Sequence, residues 1–133
     1  MNSSKSEFSD EKEEDAIVKK LAEIILRYSV KLNAQEIKIN ISLKEDVSEV
    51  FFIVEGEVQK IPPPPKVHLL EVIKYLRALS NLDPNMKYES ESGMLSYQFP
   101  NSQRYEWNAA FKSSEYGEEC VLVKNNKLRP LKY

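Results

Sequence analysis

The sequence predicts an α+β fold in which helices pack on a mainly antiparallel sheet of about six strands. Apolar residues recur at three- and four-residue spacing in two segments, which is typical of amphipathic helices. In the other segments apolar and polar residues alternate, which is typical of half-buried strands. These segments follow one another as helix, three strands, helix, three strands along 133 residues, a length that suits one domain.

The first predicted helix begins at Asp15 and ends at about Leu32. Asp15 is a suitable N-cap because its carboxylate can accept hydrogen bonds from the free amides of the first turn. Residues 1–14 are acidic and poor in apolar side chains, so we expect a disordered arm there. One apolar stripe marks the predicted buried face of the helix: Ile17, Leu21, Ile24, Ile25 and Tyr28.

Three strands are predicted next. In residues 37–41 isoleucines alternate with polar residues, which indicates a half-buried strand. Residues 50–54 are apolar on both faces, as expected for a central strand. Residues 58–61 follow after Gly56, which tolerates the positive φ of a tight hairpin turn, so these two strands are expected to pair.

Pro62–Pro65 must end this part of the sheet, because proline cannot donate to a strand ladder. We interpret the prolines as a stiff connector to a second helix rather than as a polyproline ligand. That helix is predicted over residues 66–80 and is followed by a polar loop over residues 81–92. Its expected buried positions, or their immediate neighbours, are Val67, Leu70, Ile73, Leu76 and Leu79.

The last three strands are predicted at residues 94–99, 104–111 and 119–124. Ring side chains alternate along the first two, with Trp107 among them, and we expect them to line the core rather than to stack on RNA bases, because few basic residues lie between them. The chain is therefore divided into the arm, one domain over residues 15–124 and a basic C-terminal tail over residues 125–133.

No catalytic, cofactor-binding or metal-binding residue is predicted, so we do not expect an enzyme. Cys120 is the single cysteine, so we expect neither a disulfide framework nor a four-ligand zinc site. His68 is the single histidine and has no second ligand at a suitable spacing. The three glycines are too scattered to form a phosphate loop.

The net charge of −2 does not favour binding to nucleic acid. No window approaches the roughly 18 apolar residues of a membrane span, and the N-terminus lacks the basic-then-apolar pattern of a signal peptide. We therefore expect a cytoplasmic protein without membrane insertion.

Five short segments match, in order and with compatible spacing, phrases of one protein family. They are Ala34–Ile41 (A-S-D-I-H-I-E-P in the family), Glu49–Val58 (R-V-R-x-R-V-D-G-V-L), Leu79–Asp83 (M-A-x-L-D), Ser90–Met94 (P-Q-D-G-R) and Tyr116–Lys124 (H-G-E-K-V-V-L-R-I). From about Asp15 to Lys124 the chain thus resembles the N-terminal domain that precedes the motor in type II secretion and type IV pilus-assembly ATPases.

The departures from this family are informative. The family carries two arginines that can reach toward nucleotide phosphates on the motor, and in the same register this chain has Met94 and Asn108. Neither residue supplies the fixed positive charge of arginine. The resemblance therefore implies that the fold is kept, that the nucleotide-facing role is lost, and that the motor is absent.

We thus expect a non-catalytic protein-binding domain, an adaptor or regulator that binds a secretion or pilus-assembly component or forms a homodimer. Two alternatives remain open. A small cytoplasmic secretion chaperone would dimerise and capture an unfolded client. A sensor of the PAS-like kind, which has a comparable order of elements, would need a ligand-sized apolar cavity between sheet and helices.

A protein-interaction surface is predicted on the sheet. If Phe52 and Val54 face the helices, then Phe51 and Ile53 must face the other side, because side chains alternate along a strand. Together with Leu122 they are expected to form an apolar patch of the kind that marks protein contacts. The alternative is that the loop 81–92 or the C-terminal tail covers this patch.

Overall fold

The structure is a computed structural model that describes residues 3–85, 90–100 and 103–125, with helical side chains described from residue 13 onward. In these ranges it contains two helices and six strands in the predicted order, which confirms the α+β class. The elements are α1 (Ser3–Leu32), β1 (Glu36–Ser42), β2 (Val47–Val54), β3 (Glu57–Ile61), α2 (Lys66–Leu79), β4 (Ser90–Gln98), β5 (Arg104–Ser114) and β6 (Gly117–Lys124).

The strands form one sheet in the order β3-β2-β1-β6-β5-β4, and every neighbouring pair is antiparallel. Strand β1 therefore pairs with β6 at the centre of the sheet. This pair joins a first half, made of α1 and strands β1 to β3, to a second half, made of α2 and strands β4 to β6. The predicted hairpin between β2 and β3 is confirmed: Glu55 and Gly56 both have positive φ, as a two-residue turn of type I′ requires.

Both helices pack on the same side of the sheet. Tyr28 of α1 makes an edge-to-face contact with Phe52 of β2, with ring centroids 5.4 Å apart, and Arg77 of α2 lies over the ring of Phe111 of β5. Phe52 and Phe111 are both fully buried, and the core lies between this sheet face and the two helices. We call this side the inner face.

The first helix begins earlier than the sequence predicted. Its backbone is helical from Ser3, so Asp15 lies inside α1 and is not an N-cap. Residues 1–2 lie outside the described residues, as do the side chains up to Lys12. No packing of the acidic segment is described, so the separation of an arm from the domain stays a prediction.

The buried face of α1 is shifted by about one position from the predicted stripe. Ile25 is buried as expected, but Ile17, Ile24 and Tyr28 are exposed. The predicted stripe differs from the buried face because Ala22 and Ser29 are buried, although neither is strongly hydrophobic. The Ser29 hydroxyl can be buried because it donates a hydrogen bond to the Leu26 carbonyl at 2.7 Å. The buried positions are Val18, Ala22, Ile25, Leu26 and Ser29.

The second helix buries Ile73 and Leu76, as predicted, whereas Val67 is exposed. Its most unexpected core residue is Arg77, whose side chain is only 2% exposed. The guanidinium Nη1 donates to Glu91 Oε1 of β4 at 2.9 Å and lies 5.1 Å from the centroid of Phe111. Removing one partner of a buried ion pair leaves the other charge uncompensated. Such a substitution typically lowers the free energy of unfolding by about 3–5 kcal/mol.

The ring side chains of β4 and β5 line the core, as predicted. Trp107 and Phe99 are each only 2% exposed, and Tyr97 and Tyr105 pack against the same cluster. Tyr97, Phe99 and Tyr105 form successive edge-to-face contacts with centroids 4.9 and 5.7 Å apart.

Replacing Trp107 with alanine is expected to lower the free energy of unfolding by roughly 3–5 kcal/mol, because a buried large aromatic side chain is lost and a cavity remains. Urea unfolding followed by circular dichroism measures this change. Tyr116→Ala, at an exposed position in the turn before β6, is the control and should stay within about 0.5 kcal/mol of the wild type. Equal urea midpoints for both variants would contradict the assignment of Trp107 to the core.

Candidate functional site

The candidate site is the side of the sheet opposite the helices, which we call the outer face. Side chains alternate between the two faces along each strand, so the registers assign every strand residue to one face. Phe51 and Ile53 alternate with the buried Val50 and Phe52 and therefore lie on the outer face, as predicted. The described residues place no helix on this side.

Cross-strand partners form continuous rows across the outer face. The first row, in the order of the strands from β3 to β4, consists of Val58, Ile53, Glu36, Val123, Asn108 and Met94. We call second row the adjacent set Lys60, Phe51, Lys38, Val121, Ala110 and Ser92.

Most members of these two rows are apolar, and several are open to solvent. Val58, Met94 and Val123 are 58%, 41% and 37% exposed, and Phe51 and Ile53 are half-buried. The seven apolar members form what we call the apolar band: Val58, Ile53, Phe51, Val123, Val121, Ala110 and Met94. A band of this kind on a sheet face has the chemistry of a protein contact surface.

Charged residues interrupt and border the band. Lys38 lies between its two halves, with Nζ 6.0 Å from the centroid of Phe51. The next row of the face contains Glu49, Glu119 and Lys112, and Glu49 pairs with Lys60 at 3.1 Å. Exposed ion pairs of this type contribute only about 0–1 kcal/mol, so their main effect is to make the border of the band polar.

A depression of about 490 Å³ lies at this charged end of the sheet, not between the sheet and the helices. It is lined by polar residues, among them Ser42, Lys112 and Glu119, and by the apolar Ile41 and Val47. This depression is therefore not the cavity between sheet and helices that a sensor of the PAS-like kind would need.

The prediction that Leu122 belongs to the interaction patch is wrong. Leu122 is fully buried on the inner face, where the registers place it beside Ile37 and Ala109. Residues 120–123 are apolar on both faces, so the sequence alone could not tell which positions of β6 point outward. Val121 and Val123 are the outer residues of this strand.

The described part of the loop after α2 does not cover the apolar band. Gly93 lies on the inner face opposite Ala109, and a Cβ atom at Gly93 would meet the Ser80 carbonyl oxygen at 2.7 Å and Leu82 Cγ at 3.5 Å. The start of the loop therefore runs on the helix side of the sheet. Residues 86–89 and residues 126–133 of the tail lie outside the described residues, so covering by those segments is not tested.

The two positions that carry arginine in the resembling ATPases are direct neighbours. Met94 of β4 and Asn108 of β5 are cross-strand partners on the outer face, and Val123 is the next residue of the same row. The Asn125 side-chain amide donates to the Met94 sulfur at 3.5 Å. A thioether and an amide thus stand where two adjacent guanidinium groups would concentrate positive charge.

The single cysteine and the single histidine lie in different surroundings. Cys120 is fully buried, and burial raises the pKa of its thiol far above the usual range, although the positive charge of Arg77 acts in the opposite direction. His68 is half-buried near the start of α2. Within the described ranges, no three His, Cys, Asp or Glu side chains are grouped as metal ligands would be.

The length and composition of the described helices can be compared with those of a membrane-spanning helix. In residues 3–85, 90–100 and 103–125, no helix combines the length and the apolar character that crossing a bilayer requires.

Comparison with known proteins finds similarity at the level of structure. No family model and no curated protein matches the chain. Among solved structures, the ATPase DotB of Legionella pneumophila is similar, with a TM-score of 0.53 and 15% sequence identity over 75% of this chain. The chain corresponds to 27% of the length of DotB, so the likeness concerns one part of that protein and shows the fold alone.

We expect Cys120 to resist thiol reagents in the folded protein and to react only on unfolding, because its thiolate is disfavoured by burial. The raised pKa also has a consequence for stability. The buried neutral thiol contributes stability that is fully present below the unfolded pKa of about 8.5 and is lost as the pH rises above it, by up to about 1.4 kcal/mol per pH unit.

Urea unfolding between about pH 8.5 and 10 measures this loss, with Cys120→Ala as the control that removes the titrating group. Staying below pH 10 limits interference from Tyr75 and Tyr97, whose pKa values are also raised by burial. Identical pH dependence in both proteins, or rapid labelling of the native thiol, would contradict the burial of Cys120.

Proposed function

We propose that this chain is a non-catalytic protein-binding domain, acting as a cytoplasmic adaptor or regulator of a secretion or pilus-assembly machine. Its docking surface is the apolar band on the outer face. The observation that carries the proposal is the row in which Met94, Asn108 and Val123 lie side by side. An apolar and neutral surface stands where the resembling ATPase domains have arginines that can face a nucleotide.

The likeness to DotB supports the proposal that the partner belongs to a secretion or pilus-assembly machine. A part of an ATPase is similar in fold to three quarters of this chain. A domain of this fold can therefore occur next to an ATPase motor. These 133 residues contain no Gly-x-x-x-x-Gly-Lys-Ser/Thr segment, so they do not themselves form a nucleotide-binding motor of that type.

The geometry of the band favours a protein as the ligand. The band has members on five of the six strands, from β3 at one edge to β4 at the other, with the charged Glu36 and Lys38 of β1 between its two halves. Its extent therefore suits an extended contact better than a small molecule. Its apolar side chains lie on both sides of Lys38 and are bordered by Glu49, Glu119 and Lys112, so the surface mixes apolar and charged groups as non-obligate protein interfaces do.

Phe51→Asp should leave the domain folded and abolish partner binding, because Phe51 lies on the outer face and is half-buried. Phe52→Asp, one residue further on, should unfold the protein, because Phe52 is fully buried. Circular dichroism and the urea midpoint distinguish the two outcomes.

Binding is measured by pull-down from lysate of the native host with immobilised protein and identification by mass spectrometry. The wild type and Tyr116→Asp, a control at an exposed position outside the band, should retain a secretion or pilus-assembly component that Phe51→Asp loses. Retention of that component by a folded Phe51→Asp protein would refute the docking surface. Capture of unfolded clients instead would favour a secretion chaperone.

The protein should neither hydrolyse nor tightly bind ATP, because positions 94 and 108 carry no charge and the sequence lacks a phosphate loop. Calorimetric titration with Mg-ATP should show no saturable binding in the micromolar range, and a phosphate-release assay should show no turnover above buffer. A saturable binding isotherm for Mg-ATP would contradict the prediction that the nucleotide-facing role is lost.

A further inference from the structure

The two edges of the sheet differ in how well they are protected against pairing with another strand. At one edge, β3 has only five residues, carries the exposed Glu57 and Lys60, and is followed directly by Pro62–Pro65. Short length, charge and proline are the usual means by which proteins block an edge strand. The β3 edge is therefore blocked.

The other edge strand, β4, is not protected in these ways. It has nine residues, and its register with β5 is unbroken from Ser90 to Gln98, so no bulge interrupts it. It contains no proline and no lysine, and its single charged residue, Glu91, is already bonded to the buried Arg77. Among the described residues outside the sheet, none makes a backbone–backbone hydrogen bond to β4.

Side chains on the outer face of β4 are arranged nearly symmetrically about Met94. Ser92 and Ser96 flank it at equal spacing, and Ser90 and Gln98 lie one step further out. Antiparallel pairing of two β4 strands about this residue would set Met94 against Met94 and serine against serine, without like charges in opposition. The strand is thus complementary to itself.

Pairing at this edge would also enlarge the apolar surface. Met94 ends the first row of the outer face, beside Asn108 and Val123. A second copy joined through β4 would place its own Met94 next in that row, so that two apolar bands become continuous across two six-stranded sheets.

We propose that two copies of this chain associate by antiparallel pairing of their β4 strands, with the two-fold axis near Met94. This inference goes beyond the proposed docking surface and does not depend on it, because it concerns the backbone of an edge and not the binding of another protein to the face. Main-chain hydrogen bonds supply the association, as in other cases of strand addition.

The oligomeric state tests the proposal with a charge swap at the axis. Sedimentation equilibrium of the wild type should give twice the chain mass of 15.4 kDa. Met94→Lys and Met94→Glu should each weaken self-association by about tenfold or more, because two like charges then face one another. An equimolar mixture of the two variants should restore the dimer, since opposite charges then meet.

Val58→Lys and Val58→Glu are the matched controls, because Val58 is an exposed valine in the same row at the blocked β3 edge. They should leave the mass unchanged. Hydrogen exchange separates edge pairing from contact through the face: β4 amides of the wild type should be protected at high concentration and exchange faster in Met94→Lys. A thermal melt confirms that each variant is folded.

A wild type that stays monomeric at millimolar concentration would overturn the proposal. So would a dimer that Phe51→Asp dissociates while folded Met94→Lys leaves it intact, because that dimer would form through the outer face. If Met94→Lys fails to fold, the same measurements on the double variant Ser92→Lys, Ser96→Lys decide the question, because positions 92 and 96 of the two copies face one another and the lysines would repel. An unchanged dimer of that folded variant would likewise overturn the proposal.

Discussion

The two helices and the sheet are held together by one constraint: both helices pack on the same face of the sheet. Tyr28 against Phe52 and Arg77 against Phe111 anchor the two helices to its inner face, and the buried side chains of all strands but β3 point to that side. An antiparallel sheet with helices on one side is normally polar on the other. Here the outer face instead keeps apolar residues at Phe51, Ile53 and Val121. The candidate site follows from this constraint, since the residues that the helices leave uncovered include an apolar band.

Much of the fold could be predicted from periodicity, because alternation along a strand and three- to four-residue spacing along a helix are local properties of the chain. The order of elements, the hairpin at Gly56 and the buried rings around Trp107 are therefore confirmed. Leu122 was assigned to the wrong face because β6 is apolar on both sides, so that only its pairing with β1 decides which residues point outward. Of the predicted site, Phe51 and Ile53 lie on the outer face and Leu122 does not. The contributions of Val123 and Met94 could not be predicted, since they depend on the register across four strands.

Arg77 shows a different limit of sequence reasoning. Its position among Ile73 and Leu76 gave no sign of burial, because a charged residue at the edge of a helical stripe normally extends to solvent. Burial becomes favourable only when β4 supplies Glu91 as a partner and β5 supplies the ring of Phe111. These contacts link α2 to the last strands of the chain, so the second half of the domain depends on a polar contact inside an apolar core. The same contact neutralises the one charge on β4, and thereby leaves that edge without the protection that a free inward-pointing charge provides.

Position 94 brings the arguments about fold and function together. An outer-face residue is not part of the core, so exchanging arginine for methionine there changes the chemistry of the surface without changing the packing that maintains the fold. Two adjacent arginines at positions 94 and 108 would make this part of the sheet attract anions. Met94 and Asn108 instead leave this end of the first row without charge, beside Val123. On the proposed function, the side chains at positions 94 and 108 therefore decide whether this part of the sheet attracts anions or offers an uncharged surface to another protein.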